Sequence, residues 1–499
     1  MNQKETNTYS RRHFLGRAGL VAATGVAVPT LIPSSAWPAP GNPGPNERIG
    51  IGFIGCGRRA SQIRVDGGSG PMPEETIRVV AVADVNLERA EQWAKKEEQQ
   101  SGKPCTPYQD YRKLLERKDI EAVIYATPEF WHYLPCIHAA QAGKHMYGEQ
   151  PLAHTIREGR KMVEAVRKYK VVFQVGEQQR SNPKVRHACE LVRNGRIGKV
   201  YAVLGYNFAS PFRAKFPEQP VPPKLNWDMW CGPTKPVPYH EDIYMSRANP
   251  GWMSLEPYSG GELVNWGCHS LSLANWGLGT DETGPVEIWV EPDEWREGKV
   301  PPYKPITYTQ PETRWRGDAR SQQTTIHYRF ADGVLLIMGG GPMSGVTFLG
   351  EKGRITVMRG GYICDPEELD KEPLTNPKVK LYESDNHMKN FLECVKTGKD
   401  PIMNVERAHA VATLCHLGNI ARWLGRKLRW DPEKEIFPGD DEAKKCRIFE
   451  TVRPVGLLDV PAAELRSRKE EDLPEHFLQT AGLGHPQKTS STNPGAKQP

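Results

Sequence analysis

The sequence predicts two folded domains in tandem: an α/β domain with a parallel sheet over residues 48–175, then an α+β domain with an open, mostly antiparallel sheet over residues 176–453. Three observations carry this. Strand and helix patterns alternate from Ile49 to Val175, as in a parallel sheet covered on both faces. Beyond residue 176 short strands follow one another, with Asp332-Gly333 as a hairpin signal. The flanks differ in composition from both: residues 1–36 form a leader, 37–47 a Pro/Gly/Asn linker, and 454–499 a polar tail that is largely disordered by composition.

The elements follow in order. Ile49–Ile54 and Ile77–Ala83 are apolar runs that read as buried strands, with Leu87–Gln99 helical after them. Ala122–Ala126, His145–Tyr147 and Val171–Val175 are further strands, separated by helices over Trp131–Ala142 and Ile156–Lys168. A helix over Lys184–Asn194 opens the second domain. Strands are expected at 200–206, 286–290, 325–330, 334–338, 346–349 and 355–357, and helices at 387–396 and 405–424.

The chain has 499 residues, with 66 Lys+Arg against 60 Asp+Glu, for a net charge of +6. So small a charge excludes a polybasic nucleic-acid binder. The leader holds Lys4, Arg11, Arg12 and Arg17 against Glu5, so subtracting four bases and one acid leaves 62 and 59. Its uncharged stretch, Ala18–Ile32, would rise only about 22 Å as a helix, too short for a stable membrane span. Ser34-Ser35-Ala36 resembles a cleavage site, and Ser10-Arg11-Arg12-His13-Phe14-Leu15 a twin-arginine signal. The expectation is export through the twin-arginine (Tat) machinery to the periplasm or an equivalent compartment. The ten cysteines are scattered, without Cys-x-x-Cys or metal-ligand spacing, and read as buried free thiols; no metal site is predicted.

Gly55-x-Gly57-x-x-Ala60 directly follows the first strand. The first glycine permits the tight turn, the second lets a pyrophosphate approach the backbone, and the small third residue allows close helix–strand packing. Asp84 ends the next strand, where a carboxylate accepts from the ribose hydroxyls and repels a 2′-phosphate. This favours NAD over NADP.

Ala126-Thr127-Pro128-Glu129-Phe130-Trp131-His132 and Ala142-Gly143-Lys144-His145-Met146-Tyr147-Gly148-Glu149-Gln150-Pro151 resemble the Gfo/Idh/MocA oxidoreductases. So do Gly260–His269, Asn390–Cys394 and Trp430-Asp431-Pro432, and the resemblance spans residues 48–453. It implies a Rossmann domain, a sugar or polyol beside the nicotinamide, and a homo-oligomer formed through the second sheet. Thr127, Pro128, His132 and Glu149 are then expected to border the cofactor. The family's Glu-Lys-Pro lysine falls at Gln150, its helix aspartate at Asn265 and its histidine at His269; a further aspartate falls at Ser272.

Hydride transfer from an alcohol needs a base for the hydroxyl proton, and histidine titrates ordinarily near neutral pH. His269 is therefore the expected acid/base, with Gln150 and Asn265 orienting the hydroxyl. Asn265, His269 and Ser272 at i, i+4 and i+7 would share one helix face. Joint loss of a lysine and an aspartate would avoid leaving one buried charge unpaired. The leading expectation is an NAD-dependent sugar oxidoreductase with a tightly held cofactor. Two alternatives remain: a glycosidase or lyase assisted by transient oxidation, and a sugar-binding protein that has lost redox activity.

Overall fold

The computed structural model describes residues 48–66, 72–246, 250–291, 306–307 and 323–446. The expected leader, linker and tail lie outside the described residues. The first sheet has strands β1 (Ile49–Ile54), β2 (Ile77–Ala83), β3 (Thr106–Tyr108), β4 (Ala122–Tyr125), β5 (His145–Gly148) and β6 (Phe173–Val175). Their spatial order is β3-β2-β1-β4-β5-β6 and every pairing is parallel. All six residues of β1 are buried, which is why the strand shows a continuous apolar run instead of alternation.

Chain order reverses between β1 and β4, and ligands of such sheets bind beyond the carboxyl ends of the strands at that point. The fold delivers the expected residues to this one edge: Gly55 after β1, Asp84 after β2, Thr127 after β4 and Glu149 after β5. The intervening helices are locally encoded. Asn86 caps Leu87–Ser101, and Thr155 with Glu158 forms a capping box on Ile156–Tyr169.

The second sheet has eight strands in the order β15-β14-β13-β7-β12-β11-β9-β16. They are β7 (Val200–Gly205), β9 (Glu287–Glu291), β11 (Thr325–Arg329), β12 (Leu335–Met338), β13 (Gly345–Gly350), β14 (Gly353–Met358), β15 (Gly361–Asp365) and β16 (Leu428–Arg429). Only β7 with β12 is parallel. A separate parallel pair joins β8 (Ala214–Lys215) to β10 (Ile306–Thr307). The β11–β12 hairpin turns at Gly333, whose φ of +89° favours glycine, and Asp332 Oδ1 accepts the Val334 N–H at 3.1 Å. Helices Gly267–Leu278 and Val405–Leu424 pack on this sheet.

Two details depart from expectation. Periodicity misses β3 and β15, which are sheet edges; β3 even carries Pro107, tolerated there because an edge strand need not donate on both sides. The helix His387–Thr397 falls within the second domain by sequence order, yet its Met388, Phe391, Leu392 and Cys394 join the core around Ile49, Ile51 and Phe53. The domain border drawn along the chain is therefore crossed back in space. All ten cysteines are free thiols, nine of them buried.

Candidate active site

The loop after β1 is held by its own backbone. Gly55 has φ +84°, and a Cβ there would lie 3.0 Å from the Ala126 carbonyl oxygen. A Cβ on Gly57 would meet nothing within 4 Å, so that side of the loop is open to a ligand. Ala60 is fully buried, as close helix–strand packing requires. Asp84 Oδ2 accepts the Cys56 N–H and Oδ1 the Asn86 N–H, each at 2.8 Å, with the Arg89 guanidinium 3.6 Å away. Burial outweighs these favourable partners and raises the Asp84 carboxyl pKa. Thr127 Oγ1 is buried without a hydrogen-bond partner. An open glycine, a carboxylate on the adjacent strand and an orphaned hydroxyl are what a dinucleotide would fill. The residues present therefore fit one.

Glu149 lies deeper along the same edge. Its Oε1 receives Arg59 at 2.9 Å and Gln178 Nε2 at 3.2 Å. Gln150, next in sequence, accepts the Cys268 S–H on Oε1 at 2.8 Å. His269 Nδ1 stands 2.7 Å from Glu177 Oε2, both groups being buried. Glu177, Cys268 and His269 bring a carboxylate oxygen, a sulfur and a ring nitrogen within 4.8 Å of one another. Burial first, then the Glu177 charge, pushes the Cys268 thiol pKa well above its ordinary value. Gln150 Nε2 and His269 Nε2 have no hydrogen-bond partner among the described residues, and neither is sealed from solvent. A donor and an imidazole nitrogen thus remain available to a substrate oxygen.

Asn265 and Ser272 are engaged elsewhere. The expected single helix is broken at Trp266 into Glu262–Asn265 and Gly267–Leu278, so the three residues do not share one helix. Asn265 Nδ2 donates to Ser259 Oγ at 2.9 Å, Gly261 O at 3.0 Å and Glu129 Oε2 at 3.2 Å. Glu129 is 1% exposed; it also accepts the Gly260 N–H and faces His154 Nδ1 at 3.3 Å. Burial opposes protonation of His154, but the Glu129 hydrogen bond and charge outweigh it and raise its pKa. Asn265 is therefore an amide donor to a buried carboxylate, where an aspartate would add a like charge. Ser272 accepts from Arg180 Nε at 2.9 Å, and Arg180 forms a bidentate pair with Asp281. The idea of a paired charge loss is thus replaced: Gln150 answers to Cys268, and Asn265 to Glu129.

The expectation for His132 also needs correction. It is 1% exposed, with Nδ1 2.6 Å from Pro151 O and Nε2 3.0 Å from Thr127 O. Burial lowers its pKa, so the neutral ring has a single N–H to donate to one of these two carbonyls; both nitrogens nonetheless face the Thr127 loop and the Gln150-Pro151 turn, and the ring packs between those loops without opening toward a cofactor. His387 and His416 are buried against carbonyls of Val175 and Ala153, and burial lowers their pKa values to about 4 and about 3. Half-exposed His187 pairs with Asp370. Trp227 and Trp230 stack on each other at 4.5 Å, which is core packing.

Sequence reasoning missed Glu177, Cys268 and Glu129. A signal for the first existed: Gly148-Glu149-Gln150 after β5 repeats as Gly176-Glu177-Gln178 after β6. Adjacent parallel strands thus deliver the same tripeptide to the same edge. Missing metal-ligand spacing likewise hid a carboxylate, thiol and imidazole that meet only in space.

Comparison with known families agrees with this architecture. Residues 49–177 match the Gfo/Idh/MocA description "Oxidoreductase family, NAD-binding Rossmann fold", and residues 184–314 and 311–454 match its "C-terminal alpha/beta domain". The chain belongs to the Gfo/Idh/MocA oxidoreductase family. Curated relatives of this Gfo/Idh/MocA protein include levoglucosan dehydrogenase of Pseudarthrobacter phenanthrenivorans, 31% identical over 32% of this chain and 39% of that protein. A glycosyl hydrolase family 109 protein of Shewanella pealeana is 30% identical over 38% and 44%. The first curated relatives are matched over only 37% to 59% of their own length. Among solved structures, the WlbA dehydrogenase of Bordetella pertussis in complex with NADH and UDP-GlcNAcA has a TM-score of 0.52 at 19% identity, covering 77% of this chain and 99% of that one. Aldose-aldose oxidoreductase from Caulobacter crescentus gives 0.51 at 19%, with the same coverage. These two likenesses establish the fold. Among the described residues, no helix is long and apolar enough to cross a membrane.

Proposed function

We propose that this protein is an exported, NAD-dependent oxidoreductase that moves a hydride between nicotinamide and a carbon bearing a sugar hydroxyl. The carrying observation is the contact at 2.7 Å between His269, from the helix Gly267–Leu278, and Glu177, which with Gln150 lies at the sheet edge that also bears Gly55 and Asp84. The bound nicotinamide supplies the hydride acceptor. Gln150 Nε2 donates to the substrate oxygen and fixes its position. His269 Nε2 takes the hydroxyl proton, while Glu177 holds the ring through Nδ1 and stabilises the imidazolium that forms. Asp84 supports NAD over NADP, because a carboxylate repels a 2′-phosphate. The leader supports export, and scarcity of free nucleotide outside the cytosol supports a tightly held cofactor.

The test is denaturing release of nucleotide from the purified protein, followed by a sugar panel read as NADH absorbance. One NAD per chain and NADH formation with at least one sugar are expected. Gly57→Val, whose side chain enters open space, is expected to fold normally yet weaken nucleotide binding about 100-fold, or about 2.7 kcal/mol. Absence of nucleotide, with no thermal shift at millimolar NAD, overturns the reading. A second reading, glycoside cleavage through transient oxidation, is favoured by the family 109 relatives. It predicts aglycone release without net NADH.

A further inference from the structure

We infer that Glu177, Cys268 and His269 form a site for one divalent transition-metal ion, with zinc the best match to the donor set. The three residues come from two separate segments: the turn after β6 and the start of helix Gly267–Leu278. All three are buried, and one ligand atom from each lies within 4.8 Å of the others. A soft sulfur, an imidazole nitrogen and one carboxylate oxygen suit zinc, whereas magnesium and calcium prefer all-oxygen sets. Three protein ligands with a fourth position open is the arrangement of catalytic zinc sites.

The hydrogen bonding points the same way. Around Cys268 Sγ stand Gln150 Oε1 at 2.8 Å and Asn265 O at 3.3 Å, and Glu177 Oε2 faces His269 Nδ1 at 2.7 Å. The thiol has one proton to share between two acceptors, and His269 Nδ1 at most one more. A cluster rich in lone pairs and poor in protons is what a cation completes. On binding, Cys268 releases its thiol proton and the His269 ring proton resides on Nε2. Glu177 and the Cys268 thiolate then balance the two positive charges of the ion. Gln150 Oε1, already against the sulfur, lies beside the ion without carrying charge.

The consequence for catalysis rests on the proposed oxidoreductase reading, although metal binding itself does not. The open position would take the substrate hydroxyl oxygen and lower its pKa, a role for which the described cluster offers no cationic side chain. With Nδ1 on the ion and its proton on Nε2, His269 would orient the substrate as a donor and give up the base role proposed above, and the hydroxyl proton, acidified by the ion, would leave to water.

The test uses the full-length protein, treated with chelator, reloaded with one equivalent of zinc or cobalt, and dialysed. About one ion per chain is expected, and the cobalt form should show a thiolate-to-metal charge-transfer band. Cys268→Ser should abolish that band and weaken zinc binding about tenfold or more, with unchanged circular dichroism. His269→Ala and Glu177→Gln should also lose the ion. Retention of the band by Cys268→Ser, or a folded wild-type protein that holds neither metal, overturns the site. NADH formation by the metal-free protein at the full rate overturns the catalytic role while leaving the oxidoreductase reading intact. Stoichiometric metal without nucleotide or NADH does the reverse.

Discussion

The two ends of the candidate site are built by different means. At the dinucleotide-loop end, Gly55, Gly57 and Ala60 lie in the turn and helix after β1 and Asp84 directly follows β2, all within 30 residues, and the Asp84 contacts run to backbone N–H groups. At the other end, Gln150, Glu177 and Cys268-His269 come from three segments, and their contacts run from side chain to side chain. Backbone recognition needs only a turn and a missing Cβ, so it survives as a short pattern. Side-chain recognition depends on what faces what. A family lysine and aspartate can therefore be replaced there by groups that answer to new neighbours.

The largest expected effect separates the two ends directly. His269→Ala should reduce kcat about 100- to 10,000-fold while nucleotide binding is unchanged. Steady-state kinetics and nucleotide titration on the same sample measure both. A matching loss of nucleotide affinity would break the comparison, because the ends would then be one unit.

Next is Asn265→Asp, which restores the family's usual residue but sets it against buried Glu129. Destabilisation of about 3 kcal/mol is expected in denaturant unfolding, from an uncompensated buried charge. Adding Glu129→Gln should recover most of it. An Asn265→Asp protein as stable as wild type would show that Glu129 does not dictate the amide.

The smallest effect contrasts scaffold histidines with His269 of the candidate site. His387 and His416 stay neutral in the fold, with pKa values of about 4 and about 3, whereas an unfolded histidine takes its proton near about 6.5. A depressed folded pKa contributes stability that is full above about pH 6.5 and is lost as pH falls toward the folded value. His416→Gln should therefore flatten the fall in stability below pH 6.5 by about 1.4 kcal/mol per pH unit. Equal slopes in wild type and variant would remove His416 from the acid sensitivity of the scaffold.

Much of the fold was legible because its code is local. β1 and β2 begin and end where their apolar runs do, and the helix Val405–Leu424 has the bounds its periodicity predicts. Short edge strands such as Thr106–Tyr108 were not, since their exposed sides lack an apolar pattern. The helix break at Trp266 was also hidden, because an apolar stretch that is buried all round has the same composition whether or not it is interrupted. The burial of His132 was hidden too, as the carbonyls its two nitrogens face belong to a distant turn and its own loop.

The sequence by itself determined the two-domain order, the parallel sheet and the dinucleotide loop, because strand periodicity, glycine stereochemistry and strand-end position act over a few residues. Only the tertiary structure decided that Asn265 serves Glu129, that Gln150 meets Cys268, and that Glu177 holds His269. Those partners lie between 92 and 136 residues apart along the chain. Electrostatic and hydrogen-bond energies depend on distance in space, which the linear order of residues does not carry.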